Sequence, residues 1–493
     1  SRCQREGRGF DPLCPLHYFF LIIMKKYNEL NTEELFNLAV QHQKVNNLNQ
    51  AKKIYKEILS FKPKFIEAHK NLGLIFQKLN EIEEAQKCYE EAIKINPNLA
   101  MVQYNLALIY EQVGEDNKAQ ICYEKVIEIN SDIPDVHNNL GLLLQKKGKQ
   151  KEAKKCFERA IEINPRYANA YNNLGTLDVE YGKYKEAINN FSLALIYDNN
   201  VKYAKENLIS SLTFCDTNNN NSIVVVNNSL KKLYKDFDFE KKLKTKNLAA
   251  LFQKSYQIID NAQKDLKEIN YIETQTYRRN SQNLNCERHH DVFNQSNIIP
   301  KFCFSCFKIQ IEPQNVKELI KLFFIFDNLK LPKNNWRKCM IEMRSGVSGS
   351  YKGFVYCSSM EEATKILNII DSILKKYLKY NVSIKRGCTE FYKIFPNFKE
   401  TEVKANSFMN YDERWKEIET QSDIKKGLKQ KKLVNTIPGF SISDLLIINN
   451  WLIYAMLIND SSYKDISLKL LRSEHISQKL SNQIEFRRKQ FLC

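Results

Sequence analysis

The stretch Asn71–Pro97, NLGLIFQKLNEIEEAQKCYEEAIKINP, decides the fold, because its landmarks return every 34 residues. Leu72 is matched by Leu38, Leu106, Leu140 and Leu174, and the small residue after it, Gly73, by Ala39, Ala107, Gly141 and Gly175. Ala85 is matched by Ala51, Ala119, Ala153 and Ala187. Tyr89 is matched by Tyr55, Tyr123, Phe157 and Phe191, and Pro97 by Pro63 and Pro165. Each position has a packing reason. The small residues let two antiparallel helices approach closely, the rings fill the gap to the next repeat, and proline ends the second helix. Five such units occupy residues 32–200, and a lone helix over 202–214 closes the array.

These residues resemble the tetratricopeptide-repeat family over 32–214 in both period and residue type. The resemblance implies an all-α, right-handed superhelix of helix pairs, with a concave groove that receives an extended peptide or a partner helix. Repeat one departs from the pattern at His42 and Ile58, and repeat three carries Ser131 where proline is usual. Just ahead of each leucine stands an asparagine: Asn37, Asn71, Asn105, Asn139, Asn173 and, in the lone helix, Asn207. A carboxamide offers both donor and acceptor, so a row of them at a regular rise can clamp successive peptide groups without reading side chains. The row is similar to the asparagine ladder of the O-linked N-acetylglucosamine transferases. These six are the expected peptide-binding residues; the competing reading is that asparagine serves the repeat fold itself. Cys88, Cys122 and Cys156 follow the same period and are expected to be small buried residues.

Composition sets the frame around the array. With 493 residues, 43% hydrophobic and 27% charged, the chain is built for packed domains and excludes a disordered tail or a membrane bundle. Thirteen scattered cysteines do not suit a disulfide scaffold and lead to the expectation of a reducing cytoplasm. The apolar run from Leu16 to Met24 follows Arg2, Arg5 and Arg8 but meets Lys25 and Lys26 where a cleavage site would stand. It is too short to span a bilayer, which needs about 20 apolar residues. Residues 1–23 therefore read as a non-native leader, with Met24 as the natural start. No transmembrane segment is expected, and the apolar stretch Leu445–Ile458, interrupted by Asn449 and Asn450, reads as a buried helix. Net charge is +18 overall, yet residues 32–200 balance at −1 while residues 201–493 carry +17. An excess so placed points to nucleic acid or another polyanion as a partner of the C-terminal part.

Beyond a polar joint at residues 216–222, residues 215–285 read as linker and helical spacer. From residue 301 the period changes. Alternation at Phe307, Ile309 and Ile311 predicts a strand, followed by a helix over 315–329, strands over 338–344 and 351–357, a helix over 360–379 and a strand over 381–386. That succession predicts a ferredoxin-like βαββαβ module within an α+β region over 286–390. Residues 391–493 are expected to be helical, so the fold class is multidomain: an all-α array, then α+β with flanking helices. The stretch Tyr351–Tyr356 resembles part of the RNA-recognition-motif signature. That resemblance would make Phe354 and Tyr356 base-stacking residues and Lys352 a phosphate contact. The other stacking position holds Lys308 instead of an aromatic.

Cys286, His289, Cys303 and Cys306 have the spacing C-x2-H-x13-C-x2-C, which suits zinc and, as a second choice, an iron–sulfur cluster. His290 can replace His289, and Cys339, Cys357 or Cys388 can contribute. The spacing is usable only if 302–307 bends, because residues three apart in a strand point to opposite faces. Glu342, Arg344, His289, His290 and Cys388 carry chemistry but show no phosphate-cradling loop, HExxH or nucleophile elbow around them. The leading expectation is an adaptor or assembly protein that binds a polypeptide in its repeats. The alternatives are an enzyme, a transferase for example, whose repeats recruit protein substrates, and an RNA-binding protein acting through the basic module.

Overall fold

The computed structural model describes residues 31–238, 243–262, 269, 271–278, 280, 284, 286–344, 347–388, 391, 394–398, 409–426, 434–467, 469–471, 474–480 and 483–489. The leader reading of residues 1–23 and Met24 lies outside them, as do Ser345 and Gly346. The chain divides into two compact units, residues 1–167 and 168–493.

The first unit holds four antiparallel helix pairs: Thr32–Lys44 with Leu48–Phe61, Ile66–Lys78 with Ile82–Ile95, Ala100–Gln112 with Asp116–Ile129, and Pro134–Lys146 with Gln150–Ile163. The rings were expected to fill the gap to the next repeat; in the second and fourth pairs they press on the small residue of their own pair. A methyl group on Gly73 would lie 2.5 Å from Cε1 of Tyr89, and one on Gly141 would lie 2.6 Å from Cε1 of Phe157. The turn inside each pair passes through a left-handed residue, Asn46, Asn80, Gly114 or Gly148. A polar latch also recurs at the junctions. His69 Nε2 meets the carbonyl of Pro63 at 2.7 Å, Gln103 Nε2 donates to that of Pro97 at 3.1 Å, and His137 Nε2 meets that of Ser131 at 2.8 Å. The latch uses a backbone carbonyl, so Ser131 substitutes for proline without losing it.

The second unit begins with a fifth pair, Ala168–Glu180 and Tyr184–Tyr197, then the short helix Ala204–Ser211. Helices Ser222–Lys235 and Thr245–Asn261 follow. One core runs from Phe191 and Leu208 through Leu230 and Phe252 to Phe323, Val355 and Trp451. Residue 215 is therefore not a packing boundary; the buried face of the closing helix is shared with the spacer.

Five antiparallel strands form one sheet in the order β1-β3-β4-β2-β5: β1 Gln275–Arg278, β2 Phe307–Pro313, β3 Arg337–Ile341, β4 Tyr351–Cys357 and β5 Tyr380–Arg386. β2 to β5, with helices Val316–Asn328 and Met360–Tyr377 between them, follow the expected succession. β1 was expected to be helical spacer. Its four residues carry no apolar alternation, and the segment leading into them is held from outside. Trp451 Nε1 donates to Thr274 O at 2.8 Å and Asn450 Nδ2 to Tyr271 O and Glu273 O at 2.8 and 2.9 Å. These donors belong to Ile442–Leu457, apolar on all sides and buried along nearly its whole length. Cys286–Ser296 and Lys301–Ser305 are also helical, and Trp415–Lys426 lies in the expected helical region.

Beyond β3, the wholly buried Glu342 is hydrogen-bonded by Arg344 Nη2 at 2.8 Å and paired with Lys352 Nζ at 3.2 Å. The Tyr454 hydroxyl donates to its backbone carbonyl at 2.9 Å. Burial by itself would raise the Glu342 carboxyl, but the Arg344 side-chain and backbone hydrogen bonds and the Lys352 charge outweigh it, bringing it down to about 2.

Gly141→Ala is expected to destabilise the repeats by roughly 1–3 kcal/mol, since the ring of Phe157 must move. The urea midpoint of the helical signal would fall, and an unchanged midpoint would show that the close approach is not needed. For Glu342, the folded carboxyl stays charged to about pH 2, whereas the unfolded one protonates near 4.5. Its contribution is complete above pH 4.5 and lost as pH falls towards 2. Glu342→Gln should lower the midpoint at pH 7 and lower it much less near pH 2; an offset independent of pH would contradict this.

Candidate functional site

The asparagine row is tied into the repeats by tyrosine hydroxyls. Asn71 Nδ2 donates to the Tyr55 hydroxyl at 3.1 Å, which donates to Gln43 Oε1 at 3.1 Å. One period on, Asn105 Nδ2 reaches the Tyr89 hydroxyl at 3.5 Å, and that hydroxyl reaches Gln77 Oε1 at 3.3 Å. In the next, the Tyr123 hydroxyl donates to Glu111 Oε2 at 2.6 Å and takes a hydrogen bond from Asn139. Asn139 Nδ2 also donates to the Tyr104 hydroxyl at 3.0 Å, and its Oδ1 accepts from Asn138 at 3.3 Å.

The hydroxyls of Tyr55, Tyr89 and Tyr123 each give their proton to an acceptor, so they can only receive from the amide. Every carboxamide is thereby held with nitrogen towards its tyrosine. Asn37, in the first helix, is exposed. In the second unit, Asn173 is half-buried and Asn207 Nδ2 donates to Asn172 Oδ1 at 3.4 Å. The sequence reading named the asparagines but missed Tyr55, Tyr89 and Tyr123 as their anchors and Gln43, Gln77 and Glu111 behind them. The signal was present, since 43, 77 and 111 are themselves one period apart.

The cysteines form a different neighbourhood. The bend that the spacing required is real: Lys301–Ser305 is a helical turn, Cys306 is extended, and the strand starts at Phe307. The Cys388 thiol is hydrogen-bonded to those of Cys286 and Cys303, with Cys306 close enough to act on it. The bond from Cys286 favours the Cys388 thiolate, but that with Cys303, burial and the other cysteines oppose it and keep the group a thiol. Burial pushes Cys306 up to about 12. Gly387 N donates to Cys306 O at 2.8 Å, and a methyl group on Gly387 would stand 2.4 Å from Cys306 Sγ.

His289 sits elsewhere in this region. It is 3% exposed and stacks on Phe302 at 5.2 Å, and burial, with the Arg288 charge, brings it down to about 4. His290 packs against Phe391. Cys339 pairs with Thr276 and Gly353 on the side of the sheet that faces helix Val316–Asn328. Cys357 is buried at the end of β4, its thiol donating to Val355 O. Among the described residues, no group of three or more His, Cys, Asp or Glu side chains is placed to hold a metal ion.

The residues read as RNA-stacking groups are occupied. Lys352 is 4% exposed and paired with Glu342. Phe354 is 5% exposed, and the ammonium groups of Lys308 and Lys338 each lie 5.3 Å from its ring centre, where a base would have to stack. Tyr356 is half-buried, its ring 6.4 Å from that of Phe354. Burial, with the Lys308 and Arg344 charges, brings Lys338 down to about 8. The second unit also has an open cavity of about 760 Å³ lined by Lys185, Lys231, Lys232 and Lys235 together with Asp216 and Asp327.

Among the described residues no helix is long and apolar enough to cross a membrane. No curated protein matches the chain. Among solved structures it is similar to MamA, at 22% identity, TM-score 0.32, covering 32% of this chain and 94% of that one. It is similar to YrrB, described as a TPR protein with an unusual peptide-binding site, at 19% identity, TM-score 0.34, covering 38% and 96%. It is also similar to the type IV pilus biogenesis factor PilW, at 18% identity, TM-score 0.32, covering 36% and 81%. Models of the tetratricopeptide repeat match residues 66–99 and 134–167, 102–133, and 156–189. Residues 66–189 of this chain are a tetratricopeptide-repeat segment.

Proposed function

We propose that the protein is an interaction scaffold whose repeats take up an extended segment of a partner polypeptide along the asparagine row. The observation that carries this reading is the relay of tyrosine to asparagine at Asn71, Asn105 and Asn139. An amide already held by a hydroxyl loses little rotational freedom when it meets a ligand, so more of each hydrogen bond survives as affinity. Recognition through backbone groups would tolerate many sequences and favour an unfolded segment over a folded surface. That suits an adaptor or an assembly protein. Within the second unit, the order β5-β2-β4-β3 with helices on the Gly353 side is consistent with the ferredoxin-like plan, and β1 is an added edge strand.

A second contact, with an acidic partner, is favoured by the +17 excess over residues 201–493 and by the lysine-lined cavity. Such a contact would weaken steeply with salt, which the uncharged asparagine row would not.

The test is a library of unstructured peptides presented to the full-length protein and to its Asn71→Ala/Asn105→Ala/Asn139→Ala variant. Each lost hydrogen bond is worth about 0.5–1.5 kcal/mol, so the triple variant should bind roughly tenfold to a thousandfold more weakly. Undiminished binding by a variant with an intact helical signal would remove the proposal.

A further inference from the structure

Four thiols meet beside the sheet on the side of Lys308 and Lys338. They come from the first residue of helix Cys286–Ser296, from the turn Lys301–Ser305 and the residue after it, and from the end of β5. Cys388 is hydrogen-bonded to Cys286 and Cys303, and Cys306 acts on Cys388 as Cys286 acts on Cys306. Cys303, Cys306 and Cys388 are all less than a tenth exposed. Phe293, Ile299, Phe391 and Phe398 pack around Cys303 and Cys388 and keep water away. Three backbone features serve the approach. Gly387 alone leaves room for Cys306 Sγ, its N–H holds Cys306 O, and its carbonyl accepts from Lys308 Nζ at 2.8 Å.

Buried cysteines are ordinarily small apolar residues, and Cys88 and Cys122 in the repeats need no other account. The surroundings of these four differ. Lys308 and Lys338 bring two ammonium groups against one ring next to the cluster, at 5.3 Å each from Phe354. Neutral thiols bring no charge to such a pair, whereas a metal tetrathiolate carries two negative charges there. The start of a helix at Cys286 favours a thiolate at that position as well.

We propose that Cys286, Cys303, Cys306 and Cys388 form a closed tetrathiolate site for zinc. Loading releases the four thiol protons to solvent and forms four zinc–sulfur bonds, with no change of oxidation state. Zinc–sulfur bonds near 2.3 Å set neighbouring sulfurs about 3.8 Å apart, close to the spacing of thiols in hydrogen-bond contact. The four side chains would have to draw together on the ion, since no three of them are already placed to hold one. Cys388 takes the fourth position for which the spacing had suggested His289. The two lysines are counter-charges that would hold the loaded site without touching the ion.

The measurement is the metal content of full-length protein expressed with zinc and freed of loosely bound ions. About one zinc per chain is expected. Cobalt exchanged into the site should show thiolate-to-cobalt charge transfer. Cys388→Ser and Cys303→Ser should lose the metal, and Cys339→Ser should keep it. Should the ligand variants fail to fold, thiol titration of the wild-type protein decides: zinc should leave in step with the modification of four cysteines. Less than about a tenth of an equivalent of zinc in the wild type would overturn the proposal. So would iron with acid-labile sulfide, or full retention of metal by folded Cys388→Ser protein.

Discussion

A ring pressed against a residue with no side chain, or only a methyl group, is the constraint on which the repeats depend. At Gly73 and Gly141 there is no space even for a Cβ, because Tyr89 and Phe157 already fill it. The ring therefore fixes how closely the two helices of a pair approach, and the 34-residue period copies that distance from pair to pair. Where the ring is tyrosine, its hydroxyl emerges at the far side of the contact and meets the asparagine of the following pair. The packing ring and the asparagine are thus one mechanical assembly. Gly175 repeats the contact with Phe191 in the second unit, at 2.7 Å.

The second unit depends on a buried charge cluster instead. Arg278, at the end of β1, bridges Asp327 of helix Val316–Asn328 and Asp444 of helix Ile442–Leu457, and also donates to Gly439 O at 2.7 Å. Burial works against the Arg278 charge, but the two aspartates more than restore it. Asp444 completes a capping box with Ser441, and the Tyr234 hydroxyl donates to Asp327 at 2.8 Å. One guanidinium thereby joins the edge strand, a helix packed on the sheet and the most buried helix of the unit. Removing it would leave two buried carboxylates facing one another, which is why such a cluster specifies an arrangement more sharply than it adds stability.

The repeats were legible because their constraints are local and repeated: each helix pair restates the same small residue, ring and stop. Strands β2 to β5 were legible from apolar alternation. β1 was not, because the segment leading into Gln275–Arg278 is held by donors more than a hundred residues away, on Trp451 and Asn450, and the strand itself by the ion pairs of Arg278. The site was readable in part. The asparagines announce themselves by period, and their tyrosine anchors could have been found by asking what else shares it. The burial of Phe354 beneath Lys308 and Lys338 could not, since pairs on a sheet face depend on a register that alternation leaves open. Cys388 could be named only as one of three cysteines able to join Cys303, for the same reason: the antiparallel pairing of β2 with β5 brings Phe307 opposite Arg386, and only then do the flanking cysteines meet.

That pairing also bears on how the two halves of the sequence reading relate. Cysteine occurs in both, but its consequence differs with what surrounds it. In the repeats, Cys88 and Cys122 are each separated by a full period, so no two thiols come together, and the residue is interchangeable with other small apolar ones. Around Gly387 a glycine, a helical turn and a strand end converge, and sulfur is no longer simply a small buried atom. The same logic separates the asparagines. Asn449 and Asn450 spend their amides on backbone groups inside the core, with Asn449 taking the Leu471 N–H at 2.8 Å. Asn71 and Asn105 instead meet the hydroxyl of a tyrosine from the preceding helix pair. Residue type thus marks a candidate, and what the fold pairs it with decides whether it can serve a partner.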